Sequence, residues 1–172
     1  MEEKWRVLVV DDDKDVLKLV VECLNDKYNV IAVNRSTQAQ QVIERMQPDL
    51  VILDIMMPKV NGYQLAQYIK NHRDHKHIPV IFLSAKHTQS DMKVGYQKGA
   101  DFYLTKPFQP DRLARNVDLI FERTPPSKSR KKFTFNEIKL RMEFFDDDEN
   151  ESHARLSHSD KEDLPQSKKR WY

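Results

Sequence analysis

The sequence predicts an α/β protein, with five parallel strands in one doubly wound sheet and helices on both faces. Two observations carry this. Val7–Val10, Leu50–Leu53 and Val80–Leu83 are unbroken apolar runs, and runs this short and rich in β-branched residues read as strands buried on both faces. Segments with apolar residues three and four apart alternate with the strands, and such alternation argues a parallel sheet. Right-handed crossovers between consecutive strands then give a doubly wound layer structure.

The elements follow in order. Val7–Val10 is the first strand, and Asp11, Asp12 and Asp13 follow at once. Asp13 suits the N-cap of a helix whose apolar face holds Val16, Leu19, Val20, Cys23 and Leu24. Cys23 on that face reads as packing. Val30–Val33 is the second strand. Ser36 is a plausible cap for a helix carrying Ala39, Val42, Ile43 and Met46. Leu50–Leu53 is the third strand and delivers Asp54 to its carboxyl end; Pro58 lies four residues on. Taken alone, Asp54 reads equally as a reactive acid or as a turn acid. Asn61-Gly62 makes a turn before a helix with Leu65, Ala66 and Ile69. The polar loop 71–79 holds His72, His75 and His77 beside Asp74. These could ligate a metal, but in a polar loop such residues are more often solvated. Val80–Leu83 is the fourth strand, ended by Ser84. The next helix runs to about Lys98, where Gly99 is a natural stop. Phe102–Leu104 is the fifth strand. Leu113, Val117, Ile120 and Phe121 mark the last helix, to about Arg123.

The domain is therefore expected over residues 1–123. Thr124–Lys132 is rich in Pro, Ser and basic residues, the composition of a linker. The remainder of 124–172 reads as a largely disordered charged tail with one short apolar segment, 133–145. That segment fits a strand pattern and a helical stripe equally. It could serve in partner binding or self-association.

Composition narrows the function classes. Of 172 residues, 33% are charged and 39% hydrophobic, which allows both a core and a polar surface. The formal net charge of +2 is too small to argue for nucleic acid or membrane as a partner. A single cysteine, no secretory leader pattern and no long apolar stretch lead us to expect a cytoplasmic protein.

In open parallel sheets, ligands bind beyond the carboxyl ends of the strands. Those ends carry Asp11, Asp12, Asp54, Ser84 and Lys106. Like charges about 4 Å apart repel by about 4 kcal/mol at an effective dielectric near 20. Such an acid cluster needs a cation or a raised pKa. Oxygen ligands with open positions suit Mg²⁺. A lysine and a hydroxyl beside them complete a phosphoryl-binding site, and the fitting chemistry is carboxylate attack on a phosphoryl donor.

The motifs Val9-Val10-Asp11-Asp12-Asp13, Leu53-Asp54-Ile55-Met56-Met57-Pro58 with Asn61-Gly62, Leu83-Ser84-Ala85, Gly99-Ala100-Asp101 and Lys106-Pro107-Phe108 occur in this order. Over residues 6–123 the sequence resembles the receiver domain of two-component response regulators, the chemotaxis-type receiver family. The resemblance implies a flavodoxin-like sheet of strand order 2-1-3-4-5. It implies that Asp54 is the phosphoacceptor and that Asp11, Asp12, Asp54 and the Met56 carbonyl hold Mg²⁺. Lys106 would contact the phosphoryl oxygens, with a cis bond to Pro107. Ser84 and Tyr103 would be the switch hydroxyl and switch aromatic. It further implies a sensor histidine kinase or phosphotransfer protein as donor, an output protein of unknown identity, and dimerisation on phosphorylation as a possible response.

Such a protein is a phosphorylation-switched binding module rather than an enzyme. A DNA-binding transcriptional regulator is the alternative, although residues 124–172 are few for a winged helix and nucleic acid is not an expected partner. A metal-dependent phosphohydrolase typically places a second acid two residues after its aspartyl nucleophile, and Met56 stands there. A dinucleotide-binding enzyme would need a glycine-rich loop after the first strand, and the chain has only three glycines.

Overall fold

The computed structural model describes residues 4–123. The linker, the charged tail and the apolar segment 133–145 expected beyond them lie outside the described residues. Five strands, β1 (Arg6–Val10), β2 (Asn29–Val33), β3 (Leu50–Asp54), β4 (Val80–Ser84) and β5 (Phe102–Thr105), form one sheet. Their order is β2-β1-β3-β4-β5, and every neighbouring pair is parallel. Five helices connect and close it: α1 (Lys14–Leu24), α2 (Ala39–Met46), α3 (Gly62–Asn71), α4 (Gln89–Gln97) and α5 (Pro110–Arg123). None of the described helices is long and apolar enough to cross a membrane.

Alternating side chains of one strand enter two different cores, as the two-residue period of a strand requires. Leu8 and Val10 of β1, with Val51 and Leu53 of β3, pack beneath α2 and α3 against Ile43, Met46, Leu65 and Ile69. Val7 and Val9, with Leu50 and Ile52, pack on the other face against α1 and α5 through Leu17, Val20, Leu113 and Val117. Burying one such side chain contributes roughly 1.5–3 kcal/mol, so both apolar layers stabilise the sheet.

Local signals set most helix ends. The Asp13 side chain accepts from the Asp15 and Val16 backbone N–H groups and starts α1. Gly99, at φ +102, follows the end of α4, where a residue with a Cβ would be strained. Asn61 begins α3 with a capping box closed by Gln64, and Thr88 does the same for α4 with Asp91.

Three expectations change. Ser36 does not cap α2; it opens a short 3₁₀ turn, and its hydroxyl donates to the Pro58 carbonyl at 2.8 Å. That bond ties the β2–α2 connection to the loop after β3. Gly62 is the first residue of α3 rather than part of a turn before it. A Cβ there would come within 2.2 Å of the Asp54 carbonyl oxygen, so the helix start packs directly on the end of β3. The buried stripe of α1 is Leu17, Val20 and Leu24, and Leu19 is 36% exposed. Val16 and Cys23 of the expected face pack against the same core as Val20 and Leu24, so Leu17 takes the place of Leu19 and the rest of the face stands.

The histidine loop is partly internal. His75 is buried, and its ring stacks on His72 with centroids 4.2 Å apart. The His72 Nδ1 accepts from the Asp74 backbone N–H. Burial holds the His75 pKa below its ordinary value, with the neighbouring His72 and His77 acting in the same direction and Asp74 and Glu44 against it. A histidine with a depressed folded-state pKa contributes stability above its unfolded pKa, about 6.5, and that stability is lost as pH falls through the folded value. Urea titrations at about pH 7.5 and about pH 5.5 should show the parent losing more stability on acidification than His75→Phe, which keeps an aromatic ring against His72. Equal losses would contradict this assignment.

Candidate functional site

The sheet register builds the site. Val10 pairs with Leu53, so the next residues, Asp11 and Asp54, leave adjacent strands side by side. Ser84 pairs with Thr105, which places Lys106 one residue beyond the end of β4. Lys106 is kept on β5's line by its backbone N–H, which donates to the Ser84 carbonyl at 2.8 Å. The Lys106–Pro107 peptide bond is cis, as the resemblance implies.

Four of the expected side chains converge. One carboxylate oxygen from each of Asp11, Asp12 and Asp54 lies within 4.8 Å of the others. Asp11 and Asp54 are buried, and Asp12 is exposed. The Lys106 ammonium donates to Asp11 Oδ2 at 2.6 Å and to Asp54 Oδ1 at 3.0 Å. It therefore bridges two strand ends. Asp11 Oδ1 also accepts from the Asp13 backbone N–H, which fixes the carboxylate plane. Asp13 itself is occupied with capping α1 and stands outside the cluster.

Two pKa shifts describe the electrostatics. Burial pushes Asp11 up to about 6. The Lys106 and Asp13 hydrogen bonds oppose the shift, and the nearby Asp54 charge adds to it. Burial alone would lower the Lys106 pKa, but its contacts with Asp11 and Asp54 outweigh that, and the ammonium is held more firmly than usual. One lysine thus shares its charge between two acids, while desolvation still favours the neutral form of Asp11. The donor set is all oxygen, compact and open toward Asp12. It fits a hard divalent cation, which would supply the missing positive charge.

The remaining expected residues lie around this cluster. Met56 is in the loop two residues past Asp54 and is 60% exposed. Ser84 is fully buried at the end of β4, and its Oγ accepts from the Lys86 backbone N–H at 3.1 Å. Tyr103 is 7% exposed, and its hydroxyl donates to the Lys86 carbonyl at 3.0 Å. Ser84 and Tyr103 are therefore joined through a single residue of the β4–α4 connection. Among the described residues, the acid cluster is the one group of three or more such ligands that converges. The histidines of the loop after α3 do not form another.

Two supports escaped the sequence reading. Ser36 anchors the loop that carries Met56 by its bond to Pro58. Gly62 lets α3 abut the Asp54 backbone. The Asn-Gly pair was visible, but it signals a turn as readily as a close approach.

A family model described as response regulator receiver domain matches residues 7–118. The response regulator Rre1 of Synechocystis is 37% identical over 129 residues, covering 74% of this chain and 56% of that protein. The phosphate regulon transcriptional regulatory protein PhoB of Pseudomonas aeruginosa is 34% identical over 124 residues, covering 72% and 54%. The chain spans about half the length of the curated relatives it matches. Among solved structures, the BeF3-activated receiver domain of DrrB, from Thermotoga maritima, superposes with a TM-score of 0.64 at 33% identity. That match covers 70% of this chain and 99% of the other.

Cation binding at the acid cluster should depend on pH. Asp11 takes up a proton as pH falls through about 6, and a protonated carboxyl is a poor ligand. Calorimetric titrations with a divalent cation should give an affinity that drops across that range. Asp11→Asn should bind weakly throughout and lose most of that dependence. An affinity in the parent that ignores pH between about 7 and about 5 would contradict the role given to Asp11.

Proposed function

The chain belongs to the response regulator receiver family, and from that premise we propose that Asp54 accepts a phosphoryl group and that the domain signals through the resulting change of surface. The observation that carries this reading is the Lys106 ammonium held between Asp11 and Asp54 at 2.6 and 3.0 Å. It holds a movable positive charge beside the one acid that a buried strand presents at the centre of the site.

In the proposed step, an Asp54 carboxylate oxygen attacks the phosphorus of a phosphohistidine on a sensor kinase or phosphotransfer protein. The new O–P bond forms as the P–N bond breaks, and the electron pair leaves with the imidazole nitrogen. The chain's contribution is positioning and charge compensation. Gly62 and the Ser36–Pro58 bond hold the backbone of the loop after β3, and Lys106 orients the Asp54 carboxylate itself. Asp11, Asp12, Asp54 and the Met56 carbonyl are the groups that would hold Mg²⁺. When bound, that ion neutralises the acids and the phosphoryl oxygens. Lys106 can turn from the carboxylates to a phosphoryl oxygen without leaving the site. Ser84 and Tyr103 stand where they can pass the change to α4 and β5, a shift of population between two arrangements. The domain acts as a signalling module that promotes its own phosphorylation and dephosphorylation at Asp54.

The same reading places the receiver unit at residues 1–123, with 124–172 as an appended segment, and the protein in the cytoplasm. Its partners would be the phosphodonor protein and an output protein, with a phosphorylation-dependent dimer as one form of output. A second reading has a specific support. Several relatives are named as transcriptional or DNA-binding regulators, and the chain spans about half of their length. In that case the receiver would govern a nucleic-acid-binding partner or region.

Incubating the full chain with a small acyl phosphate and Mg²⁺ should add one phosphoryl group, located on Asp54 by peptide mass spectrometry after hydride trapping of the acyl phosphate. Asp54→Asn should remove the label, and a fragment ending at Arg123 should keep it. A label that persists on Asp12 or elsewhere in Asp54→Asn would overturn the assignment.

A further inference from the structure

The chain has three glycines. Gly62 is required by the close approach to Asp54 and Gly99 by its positive φ. Gly95 has neither reason. It lies in the last turn of α4, two residues before Gln97 and still at a helical position, where glycine is one of the poorest helix formers. Its surroundings supply the reason. A Cβ at Gly95 would lie 2.7 Å from Cδ2 and 2.8 Å from Cε2 of Tyr103, and 3.4 Å from Cδ2 of Phe82. Contacts under 3 Å are closer than carbon atoms can share. The obstructing atoms belong to the side of a rigid ring rather than to the end of a flexible chain. The ring cannot yield locally; it must swing about the Cα–Cβ bond, or α4 must lift from the sheet.

The rest of the ring's contacts show what a swing would undo. The Tyr103 ring meets the edge of Phe82 with centroids 6.3 Å apart and planes at 71°. Its hydroxyl reaches the Lys86 carbonyl, and the Lys86 N–H donates to Ser84 Oγ. The ring thus runs from the bare backbone of α4 to the connection that begins at Ser84.

From this geometry we propose that Gly95 is a positioning residue: it is the seat that lets the Tyr103 ring lie inward between α4 and β4. The inference rests on the phosphoacceptor reading for its consequence, since the seat is what would join events at Ser84 to the surface of α4. A methyl group at Gly95 would turn the ring outward and break its bond to Lys86. The acid cluster and Lys106 do not touch Gly95, so phosphoryl uptake would continue while the response of the ring is lost.

The test uses the full chain with 3-fluorotyrosine incorporated, and the Tyr103 ¹⁹F resonance identified by its absence in Tyr103→Phe. In the parent this resonance should be shielded from a soluble paramagnetic quencher. In Gly95→Ala it should become accessible, before and after treatment with a small acyl phosphate and Mg²⁺, while the label on Asp54 persists. Thermal denaturation supplies a second readout independent of phosphorylation. Gly95→Ala should raise the melting temperature in a Tyr103→Leu background, where alanine's helix preference acts unopposed. It should leave it unchanged or lower it in the parent background. A Gly95→Ala chain that fails to fold while Gly95→Ala/Tyr103→Leu folds would support the seat in the same way. An unaltered Tyr103 resonance, or the same change of melting temperature in both backgrounds, would overturn it. No label on the parent would instead overturn the phosphoacceptor reading, and the ring signal and the melting comparison would still decide the seat.

Discussion

One ammonium compensates two carboxylates, and the site is arranged around that fact. The pairing of Val10 with Leu53 forces Asp11 and Asp54 out of adjacent strands at the same level. Lys106, delivered from the far end of the β1-β3-β4-β5 run, reaches both. The compensation is incomplete. Asp11 stays pushed up to about 6 because burial costs its charge more than the lysine and the Asp13 N–H return. A site left short of positive charge favours a cation, and one whose lysine is held by acids alone can release that lysine to a new anion. Both properties follow from burying the acids at a parallel strand edge, without any appeal to the family.

The two-layer core makes this precision possible. Each central strand is buried on both faces, so its register cannot slip without exchanging one apolar layer for the other. The acids therefore stand at or directly after the ends of buried central strands, whereas Ser84 and Tyr103 meet at Lys86, in the connection after β4. Ser84 ends β4, Lys86 follows it, and Tyr103 lies on the edge strand β5 against α4. The helix is joined to this region by a capping box at Thr88 and by a bare backbone at Gly95.

Much of this was legible in the sequence because its signals are local. Unbroken apolar runs gave β1, β3 and β4, and a carboxylate directly after two of them marked the edge where the site lies. Asp13 as a cap, Gly99 as a stop and the Leu113, Val117, Ile120 and Phe121 face of α5 needed only neighbouring residues to be read. What escaped depends on partners distant in sequence. The choice of the Ser36 hydroxyl between a helix end and Pro58 is decided by a loop 22 residues away. The exchange of Leu19 for Leu17 on the buried face of α1 goes with a core that the helix shares with α5. The burial of His75 follows from its stack on His72 and its contact with Tyr68, not from the polarity of its loop. Glycines are the hardest to read, since Gly62 and Gly95 are explained by atoms of β3 and β5 rather than by their own turns.

The most direct test of the central claim is a crystal structure of the chain with Mg²⁺ and beryllofluoride, a stable stand-in for the phosphoryl group. The account predicts a beryllium–oxygen bond to Asp54, a cation among Asp11, Asp12 and Asp54, and the Lys106 ammonium moved from the carboxylates to a fluoride. Beryllofluoride bound elsewhere, or seated at Asp54 with Lys106 still bridging Asp11 and Asp54, would contradict it.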